Sequence, residues 1–428
     1  EQRALAFNMS TFSKPHTTQP RQKQDKSEFH SAIDKSLTSR YHCQKCIGRG
    51  NYSFAYKLQN KRTRLPFCLK KIHDAFYCHT DAKNVFREVH VMNEIQKSSL
   101  GLKRKASAKR STGVIYFTDG LVNRKDVYLV TPLFTCDLRS GMMILDTDDQ
   151  KEWICFQIVW MLRELHDGAR VMHRDLCPEN IFMDDKCNIT LGDLGLVRDY
   201  SKDVAKELPP RDASPMSSSD REQLRHDQQE SASPRTDYVG HLFYRAPEII
   251  CGNPYYTEKV DIWSFGSICA ELYVGTIFAG KNSLEQLKNI LLFTGIPDLE
   301  QVESLSSPFA QAMIDTILDA DPQFEKKSKE FRQSLLTQLP EQIADLVEKC
   351  LQFNAERRPT AEELMKHPLF EEHSPFDVYD FPTPSLNRID FPENINEMEV
   401  SELKTLIEEL ISSKQERSVS PTKRGIRE

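Results

Sequence analysis

The octapeptide His173-Arg174-Asp175-Leu176-Cys177-Pro178-Glu179-Asn180 carries the densest chemistry in the chain. A carboxylate at 175 and a carboxamide at 180, in a loop after an apolar helical pattern, suit a proton acceptor and a cation ligand. Gly192-Asp193-Leu194-Gly195 adds a second carboxylate able to share the cation. Upstream, Ile47-Gly48-Arg49-Gly50-Asn51-Tyr52-Ser53 places two glycines at the end of a strand-type run. Glycines let backbone N–H groups approach phosphate oxygens closely. Phe67-Cys68-Leu69-Lys70 is a strand pattern ending in a lysine, and Glu88 lies in the helical pattern beyond it, where it can pair with Lys70. Arg245-Ala246-Pro247-Glu248, Asp261-Ile262-Trp263-Ser264-Phe265-Gly266 and Arg358-Pro359 follow in order. Singly, each has an ordinary reading, such as a hairpin turn for the glycine pair or a surface lysine for Lys70. Their order, on these element types, makes chance assembly negligible.

The elements that must hold these residues fall into two groups. Between Arg40 and Pro132, strand-type runs dominate at Tyr52–Leu58, Phe67–Ile72, Val114–Phe117 and Val127–Val130. One helical pattern interrupts them, through Val85, Val89, Met92 and Ile95. From Trp153 to His373 the patterns are mostly helical. A small, mostly-β lobe of residues 40–133 and a larger, mostly-α lobe of residues 134–372 are expected, with a cleft between them. Residues 1–39 and 413–428 are polar and aperiodic, and read as disordered tails. The basic stretch 102–112 and the Ser-, Pro-, Asp- and Gln-rich stretch 202–235 read as solvated insertions. In the 373–412 extension, Val400, Leu403, Leu406, Ile407, Leu410 and Ile411 form an apolar stripe at helical spacing, which needs a surface to cover.

Composition narrows the function classes. The 428 residues carry 57 basic and 63 acidic side chains, a net charge of −6. No global basic excess points to nucleic acid. The Lys103 to Arg110 run reads as a solvated loop, with a nuclear address or a patch for an acidic partner as the alternatives. Eleven cysteines, an odd number scattered along a long chain, imply reduced thiols in the cytosol or nucleus. Cys43-x-x-Cys46 has no second pair to complete a zinc site. The most apolar stretch, Ile262 to Ala279, is interrupted by Glu271 and reads as a buried helix rather than a membrane span. Glu1 to Phe7 lacks the charged-then-apolar layout of a signal peptide.

From about Arg40 to Phe370 the ordered motifs resemble a eukaryotic protein kinase. Thr236-Asp237-Tyr238 ahead of Arg245-Ala246-Pro247-Glu248 is similar to the T-x-Y activation motif of the mitogen-activated protein kinase family. Tyr244-Arg245, and Gly280-Lys281 followed by Leu284, Gln286 and Leu287, resemble further marks of that family. Asp377-Val378-Tyr379-Asp380-Phe381-Pro382 is similar to its acidic docking motif. The stripe from Val400 to Ile411 resembles its return helix, which packs on the small lobe.

The resemblance implies an α+β, bilobal kinase fold whose C-terminal helix returns to the small lobe. It implies a proline-directed Ser/Thr kinase that transfers the γ-phosphate of ATP, with Mg²⁺ as metal cofactor. By that likeness Lys70 holds the α- and β-phosphates, Glu88 orients Lys70, and Asp175 accepts the substrate hydroxyl proton. Asn180 and Asp193 hold Mg²⁺. ATP would lie against Ile47, Gly48, Arg49, Gly50, Asn51, Tyr52, Ser53, Ala55, Cys68 and Phe182, with Thr131 as gatekeeper. The hinge runs through Pro132, Leu133 and Phe134. Pro132 keeps the carbonyl that the adenine amino group needs, and Phe134 supplies the N–H. Phosphorylation at Thr236 and Tyr238 would order the activation segment, residues 193–248, after attack by an upstream dual-specificity kinase or by the chain itself. Arg87, Arg174 and Arg198 match the positions that bind phosphothreonine. Arg245 remains for phosphotyrosine, because Leu242 stands where a second arginine is usual. Asp377 and Asp380 would bind basic docking peptides of substrates, activators and phosphatases, in the cytoplasm and/or nucleus.

Four positions depart from the family pattern. Ser53 replaces the third glycine of the phosphate loop, and Phe243 a tryptophan near the substrate. His241 replaces a threonine that bonds the catalytic aspartate. Cys177 replaces the lysine that contacts the γ-phosphate, a loss that costs about 10²–10³ in rate. Both of the last two are expected beside Asp175. A protonated His241 would restore a cation there; a neutral packing histidine is the competing reading. The alternative to an enzyme is a catalytically weak or dead pseudokinase that acts as a docking scaffold.

Overall fold

The computed structural model describes residues 33–50, 52–103, 113–200, 241–253, 255–371 and 386–419. Asn51, Thr236, Tyr238, Asp377, Asp380, the 202–235 insertion and all but the first residues of the 102–112 insertion lie outside them. A short helix α1 (Lys35–Arg40) leads into β1 (Tyr41–Arg49), β2 (Ser53–Asn60) and β3 (Pro66–Ile72). Helix α2 (His79–Lys103) follows, then β4 (Asp119–Val122) and β5 (Val127–Pro132). The five strands form one antiparallel sheet in the order β1-β2-β3-β5-β4.

Strand alternation gives this sheet two apolar faces. Val127 and Leu129 face α2 and join Val85, Val89, Met92 and Ile95 in the main core. Tyr128 and Val130 turn to the other face, where Tyr56, Leu58 and Leu69 meet Ile33, Leu37 and Tyr41. The disordered reading of residues 1–39 is therefore corrected at its end. Asp34 caps α1 by accepting from the Ser36 N–H at 2.9 Å, Leu37 is buried, and Arg40 reaches Asp119 on β4 at 2.5 Å. Two apolar residues four positions apart are too few to register as a periodic pattern.

The expected strand at Val114–Phe117 is also corrected. Val114 makes a single parallel bridge to Leu191, and the Ile115 N–H donates to the Leu191 carbonyl at 2.9 Å. The strand lies a few residues later, at β4. Val114, Ile115 and Phe117 are apolar because they cross the core, not because they pair in the sheet.

The larger lobe begins with β6 (Cys136–Asp137) and α3 (Asp148–Arg163). Thr147 and Gln150 close a capping box at the start of α3. Strands β7 (Val171–Met172), β8 (Ile181–Met183), β9 (Ile189–Leu191) and β10 (Arg198–Asp199) form two small sheets, β6-β8-β9 and β7-β10. Helices α4 (Lys259–Val274), α5 (Ser283–Thr294), α6 (Ala310–Asp319), α7 (Phe324–Leu336) and α8 (Glu341–Cys350) fill the rest of the lobe. Helix α4 is buried on nearly all sides, with Trp263, Phe265 and Ile268 fully enclosed. Gly266 lets α8 approach: a Cβ there would lie 2.6 Å from the Cys350 Cβ. No helix among the described residues is long and apolar enough to cross a membrane.

The last helix, α9 (Val400–Val419), returns to the small lobe and packs on α2 and β4. It buries Leu403, Ile407 and Ile411. Gly120 accommodates it, since a Cβ at 120 would lie 3.2 Å from the Ile411 Cγ2. The helix runs past residue 412, so the boundary expected for the C-terminal tail is corrected. Lys414, Gln415, Glu416 and Arg417 are all good helix formers, which favours continuation of the helix.

Candidate active site

Sheet pleating places the small lobe's share of the site. Ala55 pairs with Lys70, and Cys68 with Thr131, so these four residues share one face. At the β1–β2 turn, Gly48 pairs with Ala55 and Arg49 with Phe54, and the Gly50 N–H donates to the Ser53 carbonyl at 2.8 Å. Ile47 and Tyr52 are exposed. Lys70 reaches the Glu88 Oε1 at 2.6 Å and the Asp193 Oδ1 at 3.3 Å. Burial alone would lower the Lys70 pKa; Asp193 and Glu88 outweigh it and hold the ammonium protonated. Thus β3, α2 and the 192–195 loop meet at one cation.

The other half is built on the loop after α3. Asp261, at the start of α4, accepts from the His173 N–H at 2.7 Å and the Arg174 N–H at 2.8 Å. His166 Nε2 lies 2.9 Å from the same carboxylate. Burial would raise the Asp261 pKa, but these hydrogen bonds and neighbouring charge leave it below the usual carboxylate range. Arg174 and Asp193 both hold left-handed backbone, at φ 72° and 54°. Non-glycine residues adopt that region uncommonly, aspartate more readily than arginine. At Arg174, the backbone N–H in this conformation is held by Asp261. Around Asp193, His173 Nε2 lies 2.9 Å from the Gly192 carbonyl, and the Gly192 N–H donates to the Asn180 carbonyl at 2.8 Å.

Asn180 Nδ2 donates to both the Asp175 carbonyl, at 2.8 Å, and the Asp175 Oδ2, at 2.9 Å. That leaves the Asn180 amide oxygen, with the Asp193 carboxylate, as oxygen donors suited to a hard divalent cation such as Mg²⁺. His241 Nδ1 lies 2.8 Å from the Asp175 Oδ1 and 3.0 Å from the Oδ2. Cys177 Sγ is 3.8 Å from the same nitrogen. Burial would push Asp175 up, but its hydrogen bond and attraction to His241 bring it below the usual range. Bonding to Asp175 raises His241 against the opposing effect of burial. Burial and the Asp175 charge push the Cys177 thiol well above its ordinary value. The expected juxtaposition of Cys177 and His241 beside Asp175 is therefore present.

Between the lobes, Phe134 and Phe182 stack with ring centroids 5.7 Å apart. Gly192 packs against the Phe182 ring, and a Cβ there would lie 2.4 Å from it, so a side chain at 192 would require the ring to shift. Thr131 is buried at the end of β5, and its hydroxyl lies 3.3 Å from the Pro132 carbonyl oxygen.

The arginines are held differently. Arg87 is buried on α2 and donates to Asn84 at 3.1 Å. Arg174 donates to the Leu196 carbonyl at 3.1 Å and meets the Tyr256 hydroxyl. Arg198, on β10, pairs with Met172 two residues before Arg174. Arg245 is half-buried, and Leu242 is enclosed in the core. Glu248 and Arg358 form a buried bidentate pair at 2.7 and 2.8 Å.

One network has no counterpart in the sequence reading. Arg139 donates to Glu179 at 2.9 Å and Glu271 at 2.6 Å and meets the Tyr244 hydroxyl, which donates to Glu271 at 2.6 Å. It ties the 173–180 loop to α4 and the segment after residue 240. The pattern of aromatic Tyr244 beside Arg245 was visible, but nothing local marks Arg139 as its partner.

A protein kinase domain family model matches residues 41–370. "Extracellular signal-regulated kinase 2" of Dictyostelium discoideum is 30% identical over 351 residues, 80% of this chain and 83% of the relative. "Mitogen-activated protein kinase 13" of Bos taurus is 31% identical over 351 residues, 82% of each chain. The ordered motifs, the two-lobed fold and these relatives lead to one conclusion: the chain belongs to the mitogen-activated protein kinase family of serine/threonine protein kinases.

Proposed function

We propose that this chain is a catalytically competent, proline-directed serine/threonine kinase that transfers the γ-phosphate of ATP to protein substrates. The observation that carries this reading is Lys70 bonded at once to Glu88 and Asp193, facing a loop in which Asn180 holds Asp175. Phosphoryl transfer needs little covalent help from a protein and much positioning and charge stabilisation. Lys70 binds the α- and β-phosphates, and Glu88 keeps its ammonium in place. Asp175, ionised at neutral pH, orients the substrate hydroxyl and accepts its proton. Asn180 and Asp193 hold Mg²⁺, which when bound neutralises charge on the phosphates. Phe134 and Phe182 flank the adenine side of the cleft, with Thr131 behind and the Pro132–Phe134 hinge as its polar edge.

Thr236 and Tyr238 are the activation phosphosites in this reading. Arg87, Arg174 and Arg198 receive phosphothreonine, and Arg245 receives phosphotyrosine. Asp377 and Asp380 bind basic docking peptides of an upstream dual-specificity kinase, substrates and phosphatases. The enzyme works in the cytoplasm and/or nucleus. A Ser-Pro peptide and its Ser-Ala counterpart, offered to chain phosphorylated at both Thr236 and Tyr238, test this directly. Preference for Ser-Pro, lost when Thr236 is replaced by Ala, is expected; equal use of both peptides would remove the proline-directed assignment.

A further inference from the structure

Phosphate transfer as described uses Asp175, to which His241 Nδ1 is hydrogen-bonded, but gives no task to Cys177. Yet their ligand atoms converge: the Asp175 carboxylate, the Cys177 sulfur and the His241 nitrogen all lie within 4.8 Å of one another. A tetrahedral zinc ion with bonds of about 2.0–2.3 Å sets its N and O ligands ~3.3 Å apart and its N and S ligands ~3.6 Å apart. The observed separations are 2.8 Å for nitrogen to Asp175 Oδ1 and 3.8 Å for nitrogen to sulfur. Shifts of about half an ångström would accommodate the ion.

The donors are also held in place. Asn180 fixes Asp175 through its carbonyl and Oδ2, leaving Oδ1 towards His241. The Asn180 N–H donates to the Cys177 carbonyl at 3.0 Å, and Cys177 is itself 1% exposed. Sulfur and imidazole donors favour Zn²⁺-class ions over Mg²⁺ or Ca²⁺, whereas the oxygen pair of Asn180 and Asp193 has the opposite preference. Three protein ligands with an open fourth position are a common zinc arrangement. A lysine at 177, as in the family pattern, would supply a cation and no ligand.

We propose that Asp175, Cys177 and His241 form a binding site for a thiophilic divalent cation of the Zn²⁺ class, and that its occupancy takes Asp175 out of phosphate transfer. On binding, the Cys177 thiol and the His241 Nδ1–H that now bonds Asp175 both give up their protons to solvent, and the ring keeps or takes one on Nε2; nothing is oxidised or reduced. The binding half stands on geometry alone, and the blocking half rests on the kinase reading above.

Co²⁺ added to the chain of residues 1–428 supplies a spectroscopic test. A near-ultraviolet thiolate-to-cobalt band that Zn²⁺ displaces is expected in the wild type. Cys177→Ser should lose the band, and His241→Gln should weaken Co²⁺ binding by more than about 100-fold, beyond the loss typical of a ligand's outer partners. A Cys43→Ser/Cys46→Ser double variant should keep the band. No wild-type band, a band retained in Cys177→Ser, or one lost with Cys43 and Cys46 would overturn the site. Zn²⁺ at one equivalent should block phosphate transfer by the wild type and spare any transfer by Cys177→Ser. A wild type that shows the band and transfers phosphate equally well with Zn²⁺ bound would overturn the blocking half. Absence of transfer even from metal-free protein, with the band intact, would count against the kinase reading and leave the site standing.

Discussion

Lys70 and Asp175 anchor two halves of one site that are built on opposite terms. At Lys70, a single cation meets two carboxylates, and each partner comes from a different element: β3, α2 and the loop at Asp193. At Asp175, a single carboxylate meets an amide and an imidazole, with a buried thiol beside them. The first half keeps the residue types of the family pattern. The second has exchanged two of them, Cys177 for lysine and His241 for threonine. Even so, Asp175 remains ionised and hydrogen-bonded. A neighbour that donates to the carboxylate can be replaced by a different donor without disturbing the backbone that presents it. A cation aimed at phosphate has no such substitute in a thiol.

Breaking the first half should have the largest effect. Lys70→Met removes the cation shared by Glu88 and Asp193, and phosphate transfer should fall by about 10³-fold in a steady-state assay. A much smaller loss would mean that this half is not the electrostatic centre of the site.

The loop beneath Asp175 comes next. Asp261→Asn replaces a buried carboxylate that accepts from two backbone N–H groups, and should cost about 3 kcal/mol in urea unfolding at pH 7. The sign of its pH dependence follows from the lowered pKa. Such a group stabilises the fold above its unfolded value of about 3.9, and the contribution disappears as pH falls through the folded value. The gap between wild type and variant should therefore narrow in acid. A gap that widens there would contradict the assigned charge.

A smaller effect is expected from restoring the usual residues around Asp175. Cys177→Lys combined with His241→Thr restores the family's residue types around Asp175. Transfer should rise by about tenfold, which is below the full worth of an oriented cation because a long side chain enters a closed corner. No rise, in a variant with unchanged thermal unfolding, would show that the exchanged corner is already as effective as the usual one.

The same contrast explains what was legible in the sequence. Lys70, Glu88, Asp175, Asn180 and Asp193 stand in short motifs on recognisable elements, so residue type and spacing alone bring them forward. Strand alternation and helical spacing likewise outline the two lobes and the apolar stripe from Val400 to Ile411, while its return to the small lobe is what the family resemblance implies. Helix α1 was hidden because Ile33 and Leu37 supply only one turn of apolar pattern. Val114–Phe117 misled because burial in the core and burial in a sheet favour the same residues. Arg139 and Glu271 are separated by 132 positions, and such a pair leaves no local trace. Gly192 stands within its motif, but the close approach of the Phe182 ring to it is a packing fact that only three dimensions reveal.

Phosphate transfer itself is the most direct test of the account. Chain phosphorylated at Thr236 and Tyr238 would be given radiolabelled Mg-ATP and a Ser-Pro peptide, beside an Asp175→Ala variant with matched nucleotide binding. Transfer by the wild type, reduced by about 10²–10⁴ in the variant, is predicted for a base that acts despite its exchanged neighbours. Wild-type transfer no greater than that of the variant would contradict it.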